Sequence, residues 1–364
     1  MIIGVPKEIK EHEYRVGITP EGVKELKKDE HRVIIEKSAG AGSGFSDEDY
    51  IQCGAEVSDK NRLFNDSELI IKVKEPLLSE YGMLREGQSL FTFLHLAPNL
   101  ELLSVLLKKN ITALAYETLE ADGILPLLMP MSEIAGEMAP VVAAYYQQKV
   151  YGGYGILLTG AEGVPPANVL ILGAGTVGMN ALKVAFGIGA NITVINRGTG
   201  KFKLIDAMYH GKVKTLVSTK DNIESEALKA DVIIGAVLIT GAVAPKLISR
   251  ALVSKMKKGS VIVDVAVDQG GCIETTMPTT HSNPVYIVDG VVHYAVVNMP
   301  GAYPRTSTLA LTNRTLPYIK ILAKTGIENA IKENEPLRTA LNTYKGKIMH
   351  KAIAASIQAE KLRN

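Results

Sequence analysis

The amino-acid sequence predicts an α/β protein made of two doubly wound domains, one inserted into the other. Three observations lead there. Apolar runs of strand length alternate with helical periodicity nearly throughout, the pattern of parallel strands joined by crossover helices. At 364 residues the chain has room for about two domains, and its 46% hydrophobic residues and 33 glycines suit large cores with many tight turns. Finally, an apolar run at residues 169–172 passes through Gly173, Gly175 and Gly178 straight into a helical pattern.

Taken in order, residues 2–5 open a first sheet, followed by a helix over about 21–28 and strands at 33–36, 69–73, 90–93 and 112–116. A glycine cluster at Gly40, Gly42 and Gly44 looks like a second phosphate loop. The acidic segment SDEDY after it reads as a helix N-cap that would repel phosphate, so a flexible turn is expected. A long helical stretch over 132–151 introduces the second sheet, with strands at 169–172, 192–195, 232–237 and 261–267. After Pro304 the pattern turns helical and is expected to stay so to the C-terminus. No linker or repeat marks a boundary. The expected division is an inserted domain at 129–305 and a first domain made of 1–128 with 306–364.

The inserted domain carries the most specific signal. In Gly173-Ala174-Gly175-Thr176-Val177-Gly178, the first glycine allows the tight turn, the second lets a pyrophosphate approach the backbone, and the third lets helix and strand pack closely. The strand before, the helix after and the second strand at 192–195 supply the context this motif needs, so a Rossmann dinucleotide-binding domain is expected. The end of the second strand ordinarily bears an acidic residue that bonds the adenosine ribose and repels a 2′-phosphate. Here that position is Asn196, followed by Arg197, Thr199 and Lys201. Arg197 and Lys201 suit the 2′-phosphate of NADP; a solvated basic turn is the competing reading.

Composition narrows the remaining classes. A net charge of +2 with interspersed cations gives no nucleic-acid footprint. Cys53 and Cys272 are too few for a disulfide framework or thiolate metal site, and no metal is expected. The longest apolar stretch, 232–245, is glycine-broken and too short to span a bilayer. With no leader pattern before the first strand, a cytoplasmic protein is expected.

Four polar residues at strand ends complete the candidate chemistry. Arg15 and Lys74 can hold a carboxylate, although either read singly is a solvated charge. His95 follows an apolar strand and is a candidate acid–base group, with a structural histidine as the alternative. Asp268 precedes Gly270 and Gly271 in the setting of a functional carboxylate or of an Asx turn.

These stretches together resemble the L-alanine dehydrogenases of the alanine dehydrogenase/transhydrogenase N-terminal-region superfamily. The likeness runs through GVPKEIKEHEYRVGITP, LIIKVKEP, LFTFLHLA, LPLLMPMSEIAG, GAGTVG, AVLITGAVAPKL, VDVAVDQGGCIE and HYAVVNMPGAYPRTST. It implies reversible NAD-dependent deamination of L-alanine to pyruvate and ammonium by a homo-oligomer, a hexamer. Arg15 and Lys74 match the family's substrate-carboxylate residues, and His95 and Asp268 its catalytic pair. Ser132, Ser218, Val237, Leu238, Asn298 and Met299 match positions lining its cofactor site. Asn196 departs from the acidic residue of NAD-dependent members, which admits NADP. A related amino-acid or opine dehydrogenase, a transhydrogenase-like subunit and a non-catalytic nucleotide sensor are the alternatives.

Overall fold

The structure, a computed structural model, describes residues 1–237 and 244–355. It divides into two compact units, Met1–Met131 with Gly301–Asn364, and Ser132–Pro300. Among the described residues the first unit begins with β1 (Ile2–Val5), β2 (Arg32–Glu36), β3 (Glu56–Ser58), β4 (Leu69–Ile71), β5 (Ser89–Thr92) and β6 (Thr112–Ala115). The second holds β7 (Asn168–Leu172), β8 (Asn191–Asn196), β9 (Lys214–Val217), β10 (Val232–Gly235), β11 (Val261–Asp264), β12 (Val285–Val288) and β13 (Val291–Tyr294). Finally β14 (Leu341–Tyr344) and β15 (Lys347–Ile348) return to the first.

Each unit is built on one doubly wound sheet. The strand orders are β15-β14-β6-β5-β4-β1-β2-β3 and β12-β13-β11-β10-β7-β8-β9. In the first, β1 pairs in parallel with both β2 and β4; in the second, β7 does so with β8 and β10. The winding therefore reverses at β1/β4 and β7/β10, and in such sheets ligands bind beyond the carboxyl ends of the strands at that reversal. Helices cover both faces, so strands such as β4 and β10 are buried along their whole length, which is why they are continuous apolar runs. Ile70, Leu90 and Ala113 pack with Leu102 and Leu106 of the helix Leu100–Lys108. Leu170, Ile195 and Ile233 pack with Ile223 and Ala227 of Lys220–Lys229.

Three sequence expectations are corrected. The chain after Pro304 is not helical to its end: helices Pro304–Thr325, Ile327–Glu333 and Glu335–Thr339 give way to β14, antiparallel to β6. Asn342 and Thr343 are buried there, and their side chains donate to Thr118 Oγ1 and the Ile111 carbonyl, partners more than 200 residues away that no local pattern reveals. The strand expected over 261–267 stops at Asp264, whose carboxylate accepts from the N–H groups of Ala266, Cys272 and Ile273 and turns the chain into a 3-10 helix, Val265–Gln269. The helix expected over 132–151 is Met129–Tyr146, with a separate 3-10 turn, Lys149–Tyr151, closed by Gly152 at φ 88°. The glycine cluster is the expected turn: a 3-10 segment Ala41–Ser43, then the helix Asp47–Gln52 with a Ser46 capping box and three acidic residues in its first turn. No helix of the described residues is long and apolar enough to cross a membrane.

Candidate functional site

In the first unit, Arg15 comes from the loop after β1 and Lys74 from the loop after β4, the two strands that flank the winding reversal. Arg15 is 2% exposed. Its Nε and Nη2 donate to both carboxylate oxygens of Glu13 at 2.7 and 2.5 Å, and Nη1 points at the Met131 sulfur at 2.9 Å. The guanidinium fork expected for a substrate carboxylate is thus engaged by a carboxylate of the chain itself. Lys74 is different. Among the described residues its ammonium has no hydrogen-bond or ion-pair partner, and burial, followed by the positive charge of Arg15, pushes it below the ordinary lysine range.

Lys74 is placed through its backbone. Glu8 Oε1 accepts from the N–H groups of Val73 and Lys74 at 2.6 and 3.3 Å. The other Glu8 oxygen lies 3.2 Å from Lys72 Nζ, which is wholly buried and also meets Glu80 at 3.1 Å. Burial raises Glu8 above the usual carboxylate range against the pull of Lys72.

His95 follows β5 in the left-handed region, φ 47°. Glu117 holds it there by accepting from the backbone N–H groups of Leu94 at 3.2 Å and His95 at 2.7 Å. The imidazole stacks on Phe93 with centroids 5.9 Å apart and is about half exposed. Its Nδ1 lies 3.6 Å from Glu75 Oε2, while Glu75 Oε1 pairs with Lys10 Nζ at 2.6 Å. Burial raises Glu75, but His95 and Lys10 outweigh it and hold the carboxyl down at about 2. An accessible imidazole beside an ionised carboxylate has the make-up of an acid–base group.

In the second unit the glycine loop, Asn196, Ser218 and Val237 lie at the carboxyl ends of the strands. Gly173 follows β7 at φ 104°, and a Cβ on it would stand 2.5 Å from the Ala236 carbonyl oxygen. A Cβ on Gly178 would stand 1.9 Å from the Gly173 carbonyl oxygen, whereas one on Gly175 meets nothing within 4 Å. Gly175 also caps the helix Thr176–Ile188 without a side-chain acceptor for its first N–H groups. Two glycines are therefore required by packing and the third leaves space over a helix N-terminus, a cradle that fits a pyrophosphate. Ala174 is buried, Thr176 exposed and Val177 half-buried.

Asn196 ends β8 with both side-chain atoms occupied: Oδ1 accepts from Ala174 N at 3.0 Å and Nδ2 donates to the Gly198 carbonyl at 2.7 Å. Arg197, Thr199 and Lys201 beyond it are exposed. Ser218 follows β9 and donates its N–H to the Asn196 carbonyl, and Val237 follows β10 with Cγ2 3.4 Å from where a Gly173 Cβ would be. Asn298, at φ 72°, receives His281 Nε2 on its carbonyl at 3.1 Å, and Met299 behind it is buried. Ser132 is half-buried on Met129–Tyr146, Asp268 is exposed on Val265–Gln269, and Leu238 lies outside the described residues.

The structure thus brings Arg15, Lys74 and His95 to adjacent strand ends of one sheet, and the glycine loop, Asn196, Ser218 and Val237 to those of the other. Sequence reasoning missed Glu13, Glu75 and Glu117, which pair or orient the first three. Glu13 and Glu75 are near neighbours of Arg15 and Lys74 in the chain, but among 38 acidic residues that proximity carries no signal. The described residues contain no cluster able to hold a metal ion.

The family models for the alanine dehydrogenase/PNT N-terminal and C-terminal domains match residues 4–135 and 139–351. A Halomonas elongata protein named alanine dehydrogenase is 50% identical over 362 residues, 99% of this chain and 98% of its own. One of the same name from Methanococcus maripaludis is 52% identical over 357 residues, 97% and 96% of the two chains. A solved structure titled L-alanine dehydrogenase superposes with a TM-score of 0.96 at 45% identity, covering 99% of each chain. A transhydrogenase from Sinorhizobium meliloti does so at 0.82 and 26%, covering 97% of this chain and all of its own.

Proposed function

The chain belongs to the alanine dehydrogenase/PNT family, and from that premise we propose that it catalyses the reversible oxidative deamination of L-alanine to pyruvate and ammonium. The observation that carries this reading is the ammonium of Lys74, which has no partner among the described residues and is lowered by burial and by Arg15, just beyond the strand that pairs with the one leading to His95. The half-buried Lys74 ammonium, beside an Arg15 already paired with Glu13, is relieved by an anion of the size of a carboxylate. Lys74 makes the direct ion pair; Arg15, braced by Glu13, adds charge and a wall.

The glycine loop, with Ser132, Ser218, Val237, Leu238, Asn298 and Met299, would hold a nicotinamide dinucleotide, which when bound supplies the hydride acceptor for the alanine Cα–H. Holding the carboxylate fixes the direction of that Cα–H bond, the positioning part of catalysis. Loss of hydride leaves a C=N bond to which water adds. His95 takes the proton of that water and returns one to the departing amine, while Asp268 orients the amine and balances its positive charge. One alanine, one water and one oxidised dinucleotide give pyruvate, ammonium, the reduced dinucleotide and a proton.

The absence of an acidic residue at Asn196 supports use of NADP beside NAD. The Asn196 side chain is spent on the Ala174 N–H of the glycine loop and on the Gly198 carbonyl, which leaves the exposed Arg197 and Lys201 to meet a 2′-phosphate. Assembly into a homo-oligomer, the hexamer that the family resemblance implies, is part of the same reading. Two free cysteines accord with a cytoplasmic setting, and the near-neutral charge with no nucleic-acid partner.

Absorbance at 340 nm with pyruvate, ammonium and either NADH or NADPH tests the proposal. Cofactor oxidation that falls about 10²–10⁴-fold in His95→Ala is expected. Absence of turnover with cofactor binding intact would overturn the activity, and strict dependence on NADH would overturn the role of Arg197.

A further inference from the structure

Glu75 Oε2 is buried, yet it accepts no hydrogen bond among the described residues. Such an orphan oxygen is costly unless something is meant to meet it. What it faces is His95 Nδ1, 3.6 Å away, just beyond hydrogen-bond length, while Lys10 anchors the other Glu75 oxygen at 2.6 Å. The carboxyl is ionised, held at about 2. The His95 backbone is fixed independently, in a left-handed conformation pinned by Glu117.

We propose that Glu75 is the positioning residue for His95: it receives Nδ1–H, aims Nε2 outward as the nitrogen that exchanges protons with substrate, and steadies the imidazolium each time His95 is protonated. This rests on the reading of His95 as the acid–base group and extends it to a Lys10–Glu75–His95 relay within one unit. During deamination the proton of the attacking water arrives at Nε2, Nδ1–H closes on Oε2, and the charge is shared with a carboxylate that stays ionised. Glu75 touches neither substrate nor cofactor. The other titratable groups around the relay are Lys74 and Arg15 on the cationic side with Glu13 opposing them, Glu117 at the His95 backbone, Tyr81, which senses Glu75, and His350, which senses Glu117.

Glu75→Gln keeps the shape and removes the charge; Glu75→Asp keeps the charge and shortens the reach. The first measurement is ethoxyformylation of His95 by diethyl pyrocarbonate at pH 6, resolved by peptide mass mapping with the exposed His210 as internal reference. The reagent attacks neutral imidazole, so Glu75→Gln should label several-fold faster at His95 with His210 unchanged, and Glu75→Asp should fall between. An unchanged His95 rate would overturn the proposal. The second measurement is the pH profile of kcat/KM for pyruvate. In Glu75→Gln the alkaline limb should move down by about one pH unit, kcat should fall about 10–100-fold, and KM should move far less. A fall in kcat with no shift of the limb would reduce Glu75 to a structural part and overturn the proposal. Faster labelling in an enzyme inactive on pyruvate would sustain the pairing and overturn the assigned activity instead.

Discussion

Lys72 is wholly buried between Glu8 and Glu80, and Glu8 in turn holds the backbone of Lys74. A buried ion triad contributes little net stability against an apolar replacement, but removing one member strands the others. Lys72→Met leaves two buried carboxylates facing each other and should cost about 3–5 kcal/mol, read as a lower urea midpoint. An unchanged midpoint would mean that water reaches the triad. Glu75 gives a pH-dependent counterpart. Its carboxyl sits at about 2 in the folded chain against 4.5 for the unperturbed group, so the stability it contributes is complete above pH 4.5 and is lost as pH falls towards 2. The urea midpoints of the wild-type chain and Glu75→Gln should differ at pH 6 and converge across that window; a constant difference would refute the assignment. At this scale the sequence shows the cations Arg15 and Lys74 because they stand at loop entries, and the imidazole of His95 because it directly follows an apolar strand. Their carboxylate partners stay hidden because pairing is a matter of distance in space.

The glycine loop separates two roles that the sequence motif runs together. Gly178→Ala drives a methyl to 1.9 Å from the Gly173 carbonyl oxygen, so strand and helix must part, at about 1–3 kcal/mol. Gly175→Ala meets nothing within 4 Å and has an ordinary φ of −74°, so the chain alone should melt within about 0.5 kcal/mol of wild type. NADH fluorescence titration should nevertheless show weakened binding, because the methyl occupies the pyrophosphate seat. Equal NADH affinity in Gly175→Ala would move the seat elsewhere. This element was legible because strand, turn and helix are contiguous in the chain. The turn after β11 was not: Asp264 is bonded to residues 272 and 273, so an apolar run that reads as strand to 267 stops three residues early.

For the molecule as a whole, β14 decides how the first sheet closes. It covers the edge of β6 and buries Leu341, Asn342 and Thr343. A chain ending at Ala340 should expose β6 as an unpaired edge, lower the melting temperature by several degrees and favour aggregation; unchanged melting would show that the edge needs no cover. Two doubly wound sheets, the glycine cradle and the cations at strand ends were determined by the sequence itself, since each depends on neighbours within a few residues, where periodicity and turn chemistry operate. Only the tertiary structure decided that β14 completes the first sheet, that Glu13 occupies the Arg15 fork and that Glu75 faces His95. Those outcomes are contacts between segments far apart in the chain or side chains that a fold turns towards one another, and a linear pattern does not encode distance.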